Sequence, residues 1–389
     1  MMTKHRALFL SAAASLLRSR ARSLTIVVCL VVMVSPFVTA VAISEGIKEQ
    51  HEGILAEAGE IYVARDAYGS NAPVELDLSQ KVGAMQGVTR VIPRIIGRTY
   101  ARGKFLAILG VSPHFIPASL RMVQGRKPSG RGDVIIGKAA AHYLGVGIGS
   151  RFSLKRSPNQ VFEIVGVFDS AYTVWNADLI VMGFDDAADL FGMSGKATDL
   201  MVYTRPGYER IVHLIIQLSE EEIQSGLAPL RVQTRDLIQR YSQRGFNLKG
   251  GVFSGFYCLV LALGIPCIGV ISGFGMSGRR REIGIVKALG WTTQNILEMI
   301  ALENLILTGV AALLAAGVAA AWVHLFNSAG IAGFFIPGLG ILAPFDVPAR
   351  IFPAPATLGL ITALIMTMVG SIHSTWRTAV APPADAMKR

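Results

Sequence analysis

Apolar residues gather into four long runs, and the polar residues between them carry a different periodicity. Leu24 to Ile43 is 20 residues without a charge. The second run, Val252 to Ser272, lies within an uncharged stretch from Gly250 to Gly278 that contains Pro266. The third covers Met299 to Val323 with Glu303 near its start, and the fourth Pro355 to His373. Each comes close to the ~20 residues with which a helix crosses ~30 Å of hydrocarbon. These patterns divide the chain into an amphipathic segment (1–23), a first span (24–43), a mixed domain (44–249) and a second span (250–273). A basic amphipathic segment (274–298), a third span (299–323), a loop (324–354), a fourth span (355–373) and a tail (374–389) follow.

Inside the mixed domain the pattern alternates between period 2 and period 3.6. Strands are predicted at 59–64, 88–96, 200–204 and 230–233, with helices at 78–85 and 208–223. Two β-α-β units therefore flank an insert at 112–196, rich in Gly and turns. Its predicted strands are 133–136, 151–155 and 161–168, and its helices 138–144 and 185–191. The expected fold is α-helical in the membrane with four transmembrane helices. Between the first two lies an α+β domain of two lobes, a split β-α-β lobe carrying a β-rich one.

Two of these boundaries admit a second reading. Ala40-Val41-Ala42 also resembles a signal-peptide cleavage site, although the basic region before the first run is long and itself reads as a helix over 4–22. The Gly- and Pro-broken stretch 326–353 reads as an external loop, with a re-entrant segment as the alternative.

Composition agrees with the runs. The 389 residues are 52% hydrophobic and 16% charged, against roughly 45–50% and about 25% in soluble domains. The net charge of +11 would suit nucleic acid, but its location argues otherwise. Residues 45–248 hold 23 basic and 21 acidic side chains, whereas the remaining 185 hold 14 and 5. Of those 14 basic residues, 12 fall on 1–23, 274–298 and the tail; Lys249 and Arg350 are the other two. Short-loop basic bias marks the cytoplasmic side. Both termini and the 274–298 segment are thus expected in the cytoplasm and the mixed domain outside.

Several motifs fail on their chemistry. Gly132-Asp-Val-Ile-Ile-Gly-Lys138-Ala139 misses a phosphate-binding loop, because Ala139 has no hydroxyl for the metal and Val134, Ile135 and Ile136 suit a strand. Gly145-Val-Gly-Ile-Gly149 follows a helix and precedes a strand, the reverse of a dinucleotide turn. Seven scattered histidines lack ligand spacing. The cysteines Cys29, Cys258 and Cys267 all lie in apolar runs, where they read as small apolar side chains. No catalytic residues and no metal site are assigned, and the chain reads as a non-enzyme.

The segment after the second run remains. Arg279-Arg280-Arg281-Glu282-Ile283-Gly284 leads to Lys287-Ala288-Leu289-Gly290, with Gly290 placed to end a helix in the left-handed conformation and a short helix beginning near Thr292. A plain positive-inside loop would need the arginines but not the glycine and apolar spacing. Glu303 divides evenly between a functional membrane carboxylate and one that snorkels to the interface.

These residues resemble the MacB/FtsX family of ABC transporter permeases. Its cytoplasmic R-E-I-G-(x)-x-x-A-L-G pattern is matched by Arg281, Glu282, Ile283, Gly284, Ala288, Leu289 and Gly290, and its third-helix glutamate by Glu303. The tail Pro383-Ala384-Asp385-Ala386-Met387-Lys388 is similar to the family's ending, with Met and Lys substituted. The resemblance implies a bacterial inner- or plasma-membrane permease lacking MacB's fused ATPase domain. It would work as a homodimer or heterodimer with two P-loop ABC ATPase subunits, which bind the ATP and Mg. This chain would hold no cofactor and no nucleic acid. Arg279 to Gly284 and Lys287 to Gly290 would couple ATP hydrolysis to ectodomain motion (mechanotransmission) for export or extraction of a substrate. The family also contains FtsX-like scaffolds that signal to a cell-wall hydrolase or sensor kinase. A periplasmic adaptor, an outer-membrane partner and the substrate are left open.

Overall fold

The computed structural model describes residues 2–101, 103–273, 276–335 and 345–380, with backbone alone at 2–8, 157–159, 242–252, 276–281 and 377–378. The chain opens with α1 (Met2–Arg18) and α2 (Arg20–Glu57). There follow β1 (Ile61–Ala67), β2 (Ser70–Ala72), β3 (Val74–Glu75), α3 (Asp77–Gly83), β4 (Val88–Ala101) and β5 (Lys104–Gly110). Next come β6 (Leu120–Gly125), β7 (Asp133–Gly137), α4 (Lys138–Leu144), β8 (Arg151–Leu154), β9 (Ser157–Ser170), α5 (Thr173–Asp178), β10 (Leu179–Met182) and α6 (Phe184–Phe191). Then β11 (Lys196–Ala197), β12 (Asp199–Thr204), α7 (Glu209–Gln224) and β13 (Leu230–Thr234) complete the mixed domain. The last helices are α8 (Arg235–Gly273), α9 (Met276–Ala288), α10 (Thr293–Phe326), α11 (Ala332–Phe335) and α12 (Ala354–Val380). Contacts separate two compact units, residues 1–46, 248–335 and 349–389 in one and residues 47–247 and 336–348 in the other.

The helical unit holds four helices apolar and long enough to cross a membrane among the described residues: Arg20–Glu57, Phe253–Gly273, Thr293–Phe326 and Ala354–Trp376. Leu30, Val34 and Val38 of α2 pack with Val260 and Ile268 of α8, with Leu307, Ala311, Ala315 and Ala319 of α10, and with Ala363 and Met366 of α12. Close approach is made by glycine: a Cβ on Gly370 of α12 would stand 2.8 Å from the Ile265 carbonyl oxygen of α8. Ala40 and Ala42 are buried within α2, so the triplet that resembled a cleavage site is helical and packed. Part of the expected external loop (336–344) and the family-like tail (383–388) lie outside the described residues.

In the mixed unit one sheet runs β13-β1-β12-β4-β5-β10-β7-β9-β6, with β2 added to β1 and β8 to β9. The long strand β4 belongs to both halves. Its residues 88–94 pair with β12 and its residues 95–101 with β5. The change of partner thus falls within β4, ahead of residue 112, and brings β5 into the same half as the insert. Ile61, Val63, Leu200 and Val202 with Ile211 and Ile215 of α7 make one core. Leu106, Ile108, Val134, Ile136, Phe162, Ile164 and Ile180 make the other. Arg65, 4% exposed, ties β1 to its surroundings through Glu75 at 2.8 Å and Glu222 at 2.6 Å.

The Gly132–Ala139 motif is a buried strand running into a helix: all of β7 is buried, and α4 starts at Lys138. Burial pushes the Asp133 carboxyl up. Hydrogen bonds from Arg126 and from the Ser129 and Gly130 N–H groups outweigh burial and hold it below its usual value. That carboxylate closes a turn.

Candidate functional site

The basic amphipathic segment folds as helix, turn and helix. Arg279, Arg280 and Arg281 lie within α9, and their side chains are outside the described residues. The turn is a Schellman arrangement: the Trp291 N–H donates to the Val286 carbonyl at 3.3 Å and the Gly290 N–H to that of Lys287 at 2.9 Å. Gly290 has φ +96°, a left-handed conformation that any side chain would strain. Thr292 then caps the next helix, its Oγ1 accepting from the Asn295 N–H at 3.3 Å. The sequence pattern predicted a short helix here. Instead α10 continues without interruption to Phe326, because the apolar residues after Asn295 run directly into the third span.

One face of this device is fixed. Ile283 of α9 and Ile296 and Ile300 of α10 are buried together with Ala379 of α12. Gly284 is buried beside them, and Lys287 is half-buried. The opposite face is open. Leu289 is 77% exposed and Ile285 48% exposed, with Ala288 and Gly290 also exposed. Glu282 reaches Arg18 of α1 at 3.6 Å across a surface where such a pair contributes little. The turn thus presents a large leucine outward and is backed by three buried isoleucines.

Glu303 is 2% exposed within the helical unit. A polar row between α10 and α12 stands beside it. Asn304 Nδ2 donates to Ser371 Oγ at 2.7 Å, and the hydroxyls of Thr308 and Thr367 share a hydrogen bond of 2.7 Å. The signal was present as matched i, i+4 spacing, 304 and 308 on α10 against 367 and 371 on α12.

Residues 254–383 match the family model of the FtsX-like permease C-terminal region, and residues 23–212 match the MacB-like periplasmic core domain. No curated protein matches the chain. Among solved structures, the periplasmic region of MacB from Actinobacillus actinomycetemcomitans is similar at 11% identity and a TM-score of 0.37, covering 49% of this chain and 95% of that one. The extracellular domain of the noncanonic ABC-type transporter YknZ from Gram-positive bacteria is similar at 14% identity and a TM-score of 0.35, covering 46% of this chain and 100% of that one.

Proposed function

Because the chain belongs to the MacB/FtsX type of ABC transporter permeases, we propose that the α9–α10 turn is where its ATPase partner docks and delivers force. The observation that carries this reading is the two-faced turn. Leu289 and Ile285 are offered outward, while Ile283, Ile296 and Ile300 are anchored against α12. Movement of the turn is then movement of α10, since the Thr292 cap joins them without a flexible link. The basic bias of the flanking segments supports a cytoplasmic position for the turn and for both termini. The ATPase, present in two copies, binds ATP and Mg and hydrolyses the ATP; this chain transmits motion to its extracytoplasmic domain. The helices α2 and α8 favour such transmission, because each continues from an apolar membrane run into polar sequence without a break. The work done is export or extraction of a substrate.

Co-purification with a P-loop ABC ATPase tests the reading. Leu289→Asp should abolish the association, and neutralising Arg280 and Arg281 should weaken it. Leu227→Asp, on a 43% exposed loop position in the mixed unit, serves as the comparison. Unchanged recovery of the ATPase with Leu289→Asp would remove the proposal.

A further inference from the structure

The mixed unit contains an open cavity of about 600 Å³, within the roughly 300–1,000 Å³ that takes one small ligand. Its floor is one face of β4. Alternation along that strand places Arg90, Ile92, Arg94, Ile96 and Arg98 on the same side, so cations and isoleucines alternate along the wall. The rest of the wall includes Phe115, Trp175 and Tyr203.

The three arginines are not equivalent. Arg94 is held by Asp199 through two hydrogen bonds of 2.8 and 2.9 Å, which neutralises it. Arg90 instead stands over the rings of Phe115 at 5.5 Å and Tyr203 at 5.8 Å, and Arg98 over Phe105 at 5.1 Å. Among the described residues neither of these two guanidiniums has a carboxylate within salt-bridge distance, although Arg98 lies close enough to Asp178 to favour its charged form. A cation over a ring keeps most of its N–H groups available, and guanidinium is suited to grip a carboxylate or phosphate with two of them.

A second observation points into the same space. Asp178, at the end of α5, lines the cavity and is 7% exposed, and its Oδ1 accepts no hydrogen bond from the described residues. Leaving a buried acceptor unsatisfied is costly, which calls for a donor from a bound molecule. The other lining carboxylate, Glu57, is already engaged by the Tyr172 hydroxyl at 3.3 Å and the Ser119 N–H at 3.3 Å. The unfilled demand of the cavity is therefore for acceptors at Arg90 and Arg98, one donor at Asp178, and apolar surface beside Ile92, Ile96 and Trp175.

We infer that this cavity binds a small anionic amphiphile: a carboxylate or phosphate held by Arg90 and Arg98, an apolar chain along the isoleucines, and a hydroxyl or amide N–H facing Asp178. The site is independent of ATPase docking, and its test leaves the ATPase out. The full chain in amphipol is titrated with radiolabelled dodecanoate and, separately, dodecyl phosphate. Saturable binding is expected for at least one of them, and whichever binds more tightly identifies the anion. Dodecyltrimethylammonium should not compete. The double variant Arg90→Gln/Arg98→Gln should weaken binding about tenfold or more, and Arg121→Gln, outside the cavity, should leave it unchanged. If the arginine variant does not fold, Ile96→Trp, at a position 42% exposed, fills the cavity instead and should abolish binding. Non-saturating uptake, equal binding by Ile96→Trp, or equal competition by the cationic amphiphile would overturn the assignment.

Discussion

The mixed unit and the helical unit are both rich in aliphatic side chains, yet their partners are chosen by different forces. In the mixed unit water does the choosing: Ile61, Val63, Ile108 and Ile164 are fully buried because alternation puts them on one face of the sheet. In the helical unit that force is absent between spans, since lipid is as apolar as leucine. Leu313 and Leu263 stay on the outside at 74% and 59% exposure, while the contact faces are marked by small and hydrogen-bonding residues. Gly264 lies under Met366, Gly370 against the Ile265 carbonyl, and Thr308 and Asn304 face Thr367 and Ser371. Greasiness assigns a residue to the bilayer; size and polarity assign it to a neighbour.

Substitutions at these marks should separate the two forces. The largest effect is expected for Gly370→Leu. Its first added carbon already meets the α8 backbone at 2.8 Å, so the helices must part at a cost of about 3 kcal/mol or more. Thermal unfolding of the full chain in detergent should show a pronounced loss. Gly147→Leu in the mixed unit, where an added Cβ meets nothing within 4 Å, should leave the transition where it was.

A middle effect of opposite sign is expected at Asp178. Burial, only partly offset by Arg98 and a backbone N–H, pushes this carboxyl from 3.8 to about 6. Between those values the folded form binds a proton that the unfolded form has released. Its contribution to stability is therefore present at low pH and lost as pH rises through about 6. Asp178→Asn removes that loss and should stabilise the mixed unit by roughly 2 kcal/mol at neutral pH, with little change below the unfolded value. Hydrogen exchange at β10, measured across this range, reads it directly. The smallest effect belongs to Thr308→Val. It deletes one interhelical hydrogen bond at nearly constant shape and should cost about 0.6 kcal/mol, as such bonds do in membranes.

Legibility in the sequence follows the same division. Spans and the glycine at the α9–α10 turn could be read because each depends on local pattern. So could β1, α3, β7, α4 and α7, where alternation or helical spacing is clean. The strands β5 and β10 are less legible: Phe105 to Leu109 and Leu179 to Met182 are short unbroken apolar runs without polar alternation, and each becomes a strand between two partner strands. For the same reason the double membership of β4 was hidden, since it is decided by partners far along the chain. At the candidate site the Gly290 cap was anticipated, but the continuity of α10 and the burial of Ile283 against Ala379 were not. The polar row on α10 and α12 needed both helices in view before its spacing meant anything.

If the ATPase docks at the α9–α10 turn, Leu289 touches it. A photo-crosslinking amino acid placed at 289 in the intact complex, with the same probe at 313 as the comparison, tests it most directly. Crosslinking should give an adduct between permease and ATPase from position 289 and none from position 313. An ATPase adduct from 313, or none from 289 in a complex that still hydrolyses ATP, would contradict it.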